Sequence, residues 1–378
     1  EIADYRSRER LARSLISNWR IAATHQVDTF ERVSFPVRIE SIHETGQLLD
    51  TMQEGRYERY LAELGGLSAE DEALLCRALA EAVRFQIACL PRRKPIVPFS
   101  TMISALTLYK KLVGFKSDIG SVLEVGPGCG YLSIFLAQTP SLTDYSQVEA
   151  CESFYIFQSL LNGFLFRHRF CELATTTGYD LSLNIRADID APYSITDREI
   201  PPYRCFHFPW WTLGALHERT RYYDVVTSNA NLNEFTRDAL HEYLTIFKRV
   251  MKDDGIFLEQ CTGSEGHGTR EGLFDVLHDA GFSPVFCALA EEEVERLQVA
   301  LGAEPFLPFR HKRFAVNNLI LVKQEHPLYA GSCSRDHFSH GYAAAYDRLP
   351  GMYLYGEERR PRSKDELMAG VKAELLRC

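Results

Sequence analysis

Apolar residues in the first 118 positions recur at helical spacing. Leu74, Leu75, Leu79, Ala82 and Phe85 mark one helix face, with Ser68 placed to cap the free amides, Asp71 placed to reach back, and Pro91 as the stop. A second helix is predicted from near Ser100 to Gly114 on Ile103, Leu106, Leu108 and Leu112, and fainter helical patterns cover 6–19 and 46–64. From Gly120 short apolar runs alternate with amphipathic stretches, as a parallel sheet covered by helices requires. Strands are predicted over Ser121–Val125, Gln147–Cys151, Tyr203–Phe208, Asp224–Ser228, Ile256–Gln260, Pro284–Ala288 and Phe314–Val322. Helices are predicted over Tyr131–Gln138, Phe154–Phe166, Arg237–Met251 and Gly272–Ala280. Residues 171–202, rich in Asp, Thr, Ser and Pro without a period, read as an insertion over the sheet edge. The expected division is a helical cap or dimerisation domain over 1–117, an α/β ligand-binding domain over 118–325, and a C-terminal extension over 326–378.

Composition narrows the classes. The 378 residues are 46% hydrophobic and 25% charged, which excludes collagen-like and wholly disordered chains and allows two domains or one enlarged one. No apolar run reaches the ~18–20 residues that cross a bilayer, so no membrane role is expected. A net charge of −9 argues against a dedicated nucleic-acid binder, and the basic clusters Arg92-Arg93-Lys94, Arg310-His311-Lys312-Arg313 and Arg359-Arg360 read as solvated faces. The ten cysteines form no Cys-x-x-Cys pair, so neither a zinc ribbon nor a dithiol site is suggested. Together with the lack of a legible leader after Glu1, they make a reducing, cytoplasmic setting the expectation. Asp188, Asp190 and Asp197 read as solvated, and no metal is expected.

The segment richest in chemistry is Val122-Leu123-Glu124-Val125-Gly126-Pro127-Gly128-Cys129-Gly130-Tyr131-Leu132. A buried strand runs into Gly-x-Gly-x-Gly and then into a helix, at the strand end where open α/β sheets bind ligands. Glycine there permits positive φ and lets backbone approach a ligand, although a glycine turn alone is also compatible with a ligand-free bend. Glu124 precedes the first glycine by two positions, and Glu152, ending the second strand, can accept ribose hydroxyls. A dinucleotide site wants Gly-x-Gly-x-x-Gly; here the third glycine comes one residue early, Pro127 fills the turn and Glu124 repels phosphate. A ligand with a ribose and a positive charge but no phosphate fits better, and S-adenosylmethionine is such a ligand.

Glu124-Val125-Gly126-Pro127-Gly128-Cys129-Gly130 resembles the first motif of class I S-adenosylmethionine-dependent methyltransferases, and Glu152 resembles their ribose-binding acid. The resemblance covers about residues 118–325 and implies a Rossmann-like sheet of seven mostly parallel strands beside the helical N-terminal domain. Phe206-His207-Phe208-Pro209-Trp210-Trp211, with Tyr223-Asp224-Val225-Val226-Thr227-Ser228-Asn229-Ala230-Asn231-Leu232-Asn233-Glu234 downstream, is similar to a bacterial family of sugar O-methyltransferases. The likeness implies a role for each of several residues. Gly126, Gly128 and Gly130 would pack against the methionine part, Glu152 would hold the ribose, Phe208, Pro209 and Trp210 would flank the adenine, and Glu124, Pro127 and Ser153 would also belong to the cofactor site. Asn229 and Asn231 would face the sulfonium or the acceptor, or else serve turn chemistry.

An acceptor hydroxyl must lose a proton, and three residues are candidates for the base. His207 lies at a predicted strand end, with a structural role as the alternative; Glu234 comes after the Asn-rich turn, where it also suits a helix start; His267 sits in a glycine-rich loop after the strand ending at Gln260. The expected activity is methyl transfer to a small molecule, a sugar or a secondary metabolite. Two rivals stand beside it: cyclisation or aminocarboxypropyl chemistry on the methionine moiety, and non-catalytic cofactor binding. A homodimer is compatible with the helical segment.

Overall fold

The computed structural model describes residues 2–15, 35–51, 57–64, 66–174, 203–229, 235, 237–260, 270–287, 318–331 and 359–377. Among the described residues five α-helices precede the sheet: α1 (Ile2–Leu15), α2 (Gly46–Thr51), α3 (Tyr57–Glu63), α4 (Ala69–Cys89) and α5 (Phe99–Phe115). Then come β1 (Ser121–Val125), α6 (Leu132–Ala137), β2 (Asp144–Glu149), α7 (Glu152–Phe166), β3 (Phe170–Glu172), β4 (Cys205–Pro209), β5 (Tyr223–Asn229), α8 (Arg237–Val250), β6 (Met251–Gln260), α9 (Arg270–Asp279), β7 (Phe282–Cys287), β8 (Asn318–Lys323) and α10 (Lys364–Leu375). Ser68 caps α4 as expected, its side chain accepting from the Asp71 amide at 3.1 Å, an interaction worth about 1 kcal/mol. Asp71 itself does not reach back; its carboxylate pairs with Lys110 and Arg359. Helix α5 starts at Phe99, one residue before Ser100, with Pro98 at its cap position and no side-chain cap.

The strands form one sheet in the order β3-β4-β2-β1-β5-β6-β8-β7. Strands β1 to β6 pair in parallel, and only β8 runs against its neighbours. This is a Rossmann-like α/β fold. Among the described residues the sheet has eight strands rather than the expected seven, because Phe170–Glu172 adds a short edge strand at the start of the expected irregular insertion.

Alternation along the strands serves two cores. Val122, Tyr145, Cys205, Val225, Ile256 and Ile320 face a core shared with α4 to α7. Leu123, Val148, Phe206, Val226, Phe257 and Leu321 pack with Ala239, Leu240 and Tyr243 of α8 and with Leu277 of α9. The N-terminal helices are therefore a layer on the sheet's first face. Leu367 and Val371 of α10 join that same core. No described helix is long and apolar enough to cross a membrane.

Candidate functional site

Strand β1 lies between β2 and β5, so the chain leaves it toward opposite sides and opens a crevice beyond the carboxyl ends. Four elements meet that edge. The turn Gly126–Gly130 leaves β1; Glu149 ends β2 opposite Pro209 of β4; and Asn229 ends β5 opposite Gln260.

Gly126, Gly128 and Gly130 all have left-handed backbone, with φ of 62°, 59° and 65°. An L side chain there costs about 1–2 kcal/mol in strain alone. The turn is anchored at both ends: the Gly126 amide donates to the Val148 carbonyl at 2.9 Å, and the Gly130 carbonyl accepts from the Ser133 hydroxyl at 2.6 Å. A Cβ on Gly130 would lie 3.1 Å from Gln158 Cγ, whereas one on Gly128 would meet no atom within 4 Å. Space therefore opens above Gly128.

Glu124 is buried at the penultimate position of β1. Tyr145 donates its hydroxyl to the Glu124 carboxylate and itself accepts from Gln147 Nε2 at 2.5 Å; Asn162 donates to Gln147 Oε1. Burial pushes the Glu124 carboxyl up to about 7, although the hydrogen bonds from Tyr145 and Gln147 pull the other way.

The expected ribose acid does not stand at the end of the strand. Glu152 lies three residues beyond the end of β2, inside α7, with its carboxylate fully enclosed. Arg6 donates to Oε1 at 2.9 Å and to Oε2 at 3.0 Å, Arg38 to Oε2 at 2.7 Å, and the Ile39 amide to Oε1 at 3.2 Å. Burial alone would raise this carboxyl; the two guanidinium groups outweigh it and hold the group below its ordinary range. Its acceptor sites are taken up in fastening the N-terminal arm. Ser153 is drawn into the same junction, its amide donating to the Val37 carbonyl at 3.0 Å.

Glu149, missed in the sequence, holds the position that Glu152 was expected to fill. Its Oε1 accepts from the amides of Ala150 at 2.8 Å and Cys151 at 2.9 Å, and its Oε2 from Gln158 Nε2 at 2.9 Å. Burial raises its pKa. A carboxylate offers about four acceptor sites, so one on Oε2 remains for a ligand hydroxyl.

His207 is the second correction. It sits mid-strand in β4, completely buried, with Nδ1 2.9 Å from Ser159 Oγ and Nε2 2.9 Å from Gln158 Oε1. Tyr155 stacks on the ring at 3.9 Å between centroids, and burial depresses the imidazole pKa to about 3. With both nitrogens engaged and no solvent path, it is unsuited to accept a substrate proton.

Of the adenine-side residues, Pro209 is level with Glu149 across the β2–β4 register. Phe208 is buried in the core beneath α8. Trp210 lies edge-on to Trp211 at 5.5 Å, and Trp211 in turn meets Tyr5 of α1 at 4.8 Å. Asn229 is half-buried at the end of β5. Asn231, Glu234 and His267 lie outside the described residues. Among the described residues no group of three His, Cys, Asp or Glu side chains is placed to hold a metal ion.

No protein-family model matches the chain, and no curated protein matches it. Solved structures are similar in outline. StiE O-MT residues 961–1257 align with a TM-score of 0.36 at 12% identity, over 72% of this chain and 90% of that one. A spermidine synthase in complex with the transition-state analogue AdoDATO gives 0.31 at 12%, over 71% and 74%. M. jannaschii TYW2 in complex with AdoMet gives 0.28 at 12%, over 57% and 72%. At these levels the chemistry must be read from the site's own residues.

Those residues define a polar crevice with open backbone at Gly128, a buried carboxylate at Glu149 and a second buried acid at Glu124. The acceptor left on Glu149 can take one hydroxyl donor, and the acids beneath the turn offer no cation to pair with a phosphate.

Proposed function

We propose that this chain is an S-adenosylmethionine-dependent methyltransferase acting on a small molecule, and that it O-methylates a sugar or secondary metabolite. The observation that carries the reading is the left-handed glycine turn at the central switch point, open above Gly128 and flanked by Glu149 at the end of β2. In this reading Gly126, Gly128 and Gly130 accommodate the methionine part and Glu149 accepts a ribose hydroxyl. The bound cofactor supplies an electrophilic methyl group for in-line displacement by the acceptor oxygen. The chain's own task is to align the two partners and take the acceptor proton. With His207 enclosed, the base is sought after β5 and β6, where Glu234 and His267 come next in sequence.

Calorimetry with S-adenosylhomocysteine tests the reading. Wild-type protein is expected to bind it, and Glu149→Ala to weaken binding by about tenfold or more, the worth of a charge-assisted hydrogen bond. Absence of binding by the wild type sinks the proposal. Incubation with the cofactor alone separates the chemistry: methylthioadenosine formed without an acceptor would replace methyl transfer by reaction at the methionine chain.

A further inference from the structure

A single amide spans the gap between the glycine turn and the acid of β2. Gln158, fully buried on α7, donates from Nε2 to the Gly128 carbonyl at 2.7 Å and to Glu149 Oε2 at 2.9 Å. An amide nitrogen carries two hydrogens, and both are used. Its Oε1 is therefore an acceptor, so His207 Nε2, 2.9 Å away, must carry the ring proton. In the neutral ring Nδ1 is then bare and accepts from the Ser159 hydroxyl at 2.9 Å. The Gly128 carbonyl and the Glu149 carboxylate, which can only accept, thus fix which way the Gln158 amide points and with it the tautomer of His207, whose ring burial keeps neutral.

We infer that Gln158 is the positioning residue of the nucleoside site. It sets the spacing between the Gly128 backbone and the Glu149 carboxylate, while His207 occupies its remaining acceptor. The consequence for Glu149 is selective: three of its acceptor sites are taken by Ala150, Cys151 and Gln158, leaving one on Oε2, the oxygen that Gln158 holds. A flipped amide would set two oxygens against each other at both Gly128 and Glu149. The inference rests on the proposed use of that turn and acid for S-adenosylmethionine.

The test is a set of calorimetric titrations with S-adenosylhomocysteine. Gln158→Leu is expected to raise the dissociation constant about tenfold or more. Leu161→Ala, a packing loss on the same helix without a polar contact, is expected to change it by less than about threefold when compared at matched folded fraction. In the background of Glu149→Gln, the effect of Gln158→Leu should shrink, because the two residues act through one contact. Gln158→Glu supplies a readout that packing does not: it sets a carboxylate against Glu149 and the Gly128 carbonyl, so affinity should recover as the pH is lowered and the new acid protonates. It also serves if Gln158→Leu fails to fold. Full affinity in Gln158→Leu, or a pH-independent affinity in Gln158→Glu, overturns the positioning role while leaving the cofactor reading intact. A wild-type protein that does not bind the ligand overturns both.

Discussion

Arg38 Nη1 lies 2.7 Å from Glu152 Oε2 and 2.7 Å from Glu9 Oε2, so one guanidinium joins α1, the arm at 35–40 and the first turn of α7. Arg6 completes the junction, and the two arginines line an open cleft of about 330 Å³ with Glu9, Arg10, Arg13 and Glu40. Ion pairs on a surface contribute little, but the carboxylate side of this one is enclosed.

Glu152→Ala is therefore expected to act on stability rather than on the nucleoside. Loss of charged hydrogen bonds from Arg6 and Arg38 should cost about 1–3 kcal/mol in urea unfolding, discounted because both arginines are partly exposed. Affinity for S-adenosylhomocysteine in the folded fraction should stay within about threefold of wild type. Because this carboxyl is held below its unfolded value, its contribution is present above the ordinary carboxylate range and is lost as the pH falls through its folded value. A loss of affinity as large as that of Glu149→Ala would return the ribose role to Glu152.

The sequence misplaces that acid for a physical reason. Hydrophobicity points to a strand over 147–151, yet β2 reads Asp-Tyr-Ser-Gln-Val-Glu and every residue is buried. Each polar group is satisfied inside: Tyr145 on Glu124, Ser146 on Asp144 at 2.7 Å, and Gln147 on Tyr145. Burial through pairing leaves no hydrophobic signature, so the predicted strand starts three residues late and carries the acid with it. The same blindness applies to His207, whose partners Ser159 and Gln158 come from a helix some 50 residues earlier. By contrast β1, apolar except for Ser121 and Glu124, and the glycine turn are legible because backbone conformation itself demands glycine in that turn.

Replacing the turn glycines should separate folding from binding. Gly128→Ala meets no atom within 4 Å but is held at φ +59°, so a stability loss of about 1–2 kcal/mol is expected from strain alone. Gly130→Ala adds a 3.1 Å approach to Gln158 Cγ at φ +65° and should lose more in thermal melts. Gly128→Ala, whose methyl enters the open space of the crevice, should bind S-adenosylhomocysteine at least about tenfold more weakly. Unchanged affinity there would mean that the ligand does not approach the turn.

Glu124 gives the fold a pH dependence of unusual sign. Its folded pKa of about 7 stands above the ordinary 4.5, so the folded state holds the proton more tightly. Its contribution is complete below 4.5 and is lost as the pH rises to about 7, with a slope of about 1.4 kcal/mol per pH unit between them. His207 works the other way, since its buried neutral ring costs stability as the pH falls below 6.5. The difference between wild type and Glu124→Gln isolates the carboxyl. Urea melts at several pH values should show the variant gaining on wild type from pH 5 to 7 and holding a constant lead above it. A pH-independent difference would show that Glu124 ionises normally.

The C-terminal helix should prove integral to the N-terminal layer. Asp71, on α4 and fully buried, is 2.9 Å from Lys110 on α5 and 2.9 Å from Arg359, while Leu67 and Arg360 form an antiparallel bridge. Gly370 of α10 leaves so little room that a Cβ would lie 2.6 Å from Cys76 Sγ. Removing the carboxylate strands two cations, of which Arg359 is the more enclosed, so Asp71→Asn is expected to cost about 3 kcal/mol. Arg359→Met, which removes one cation and keeps an apolar stem, should cost less. In the double variant the penalties should fall short of their sum, because the stranded guanidinium is gone. Gly370→Leu, which cannot be seated against Cys76, should expose the Cys76 thiol to alkylation under conditions where the wild type is protected. Additive penalties together with a protected thiol would mean that α10 is an appendage rather than part of the core.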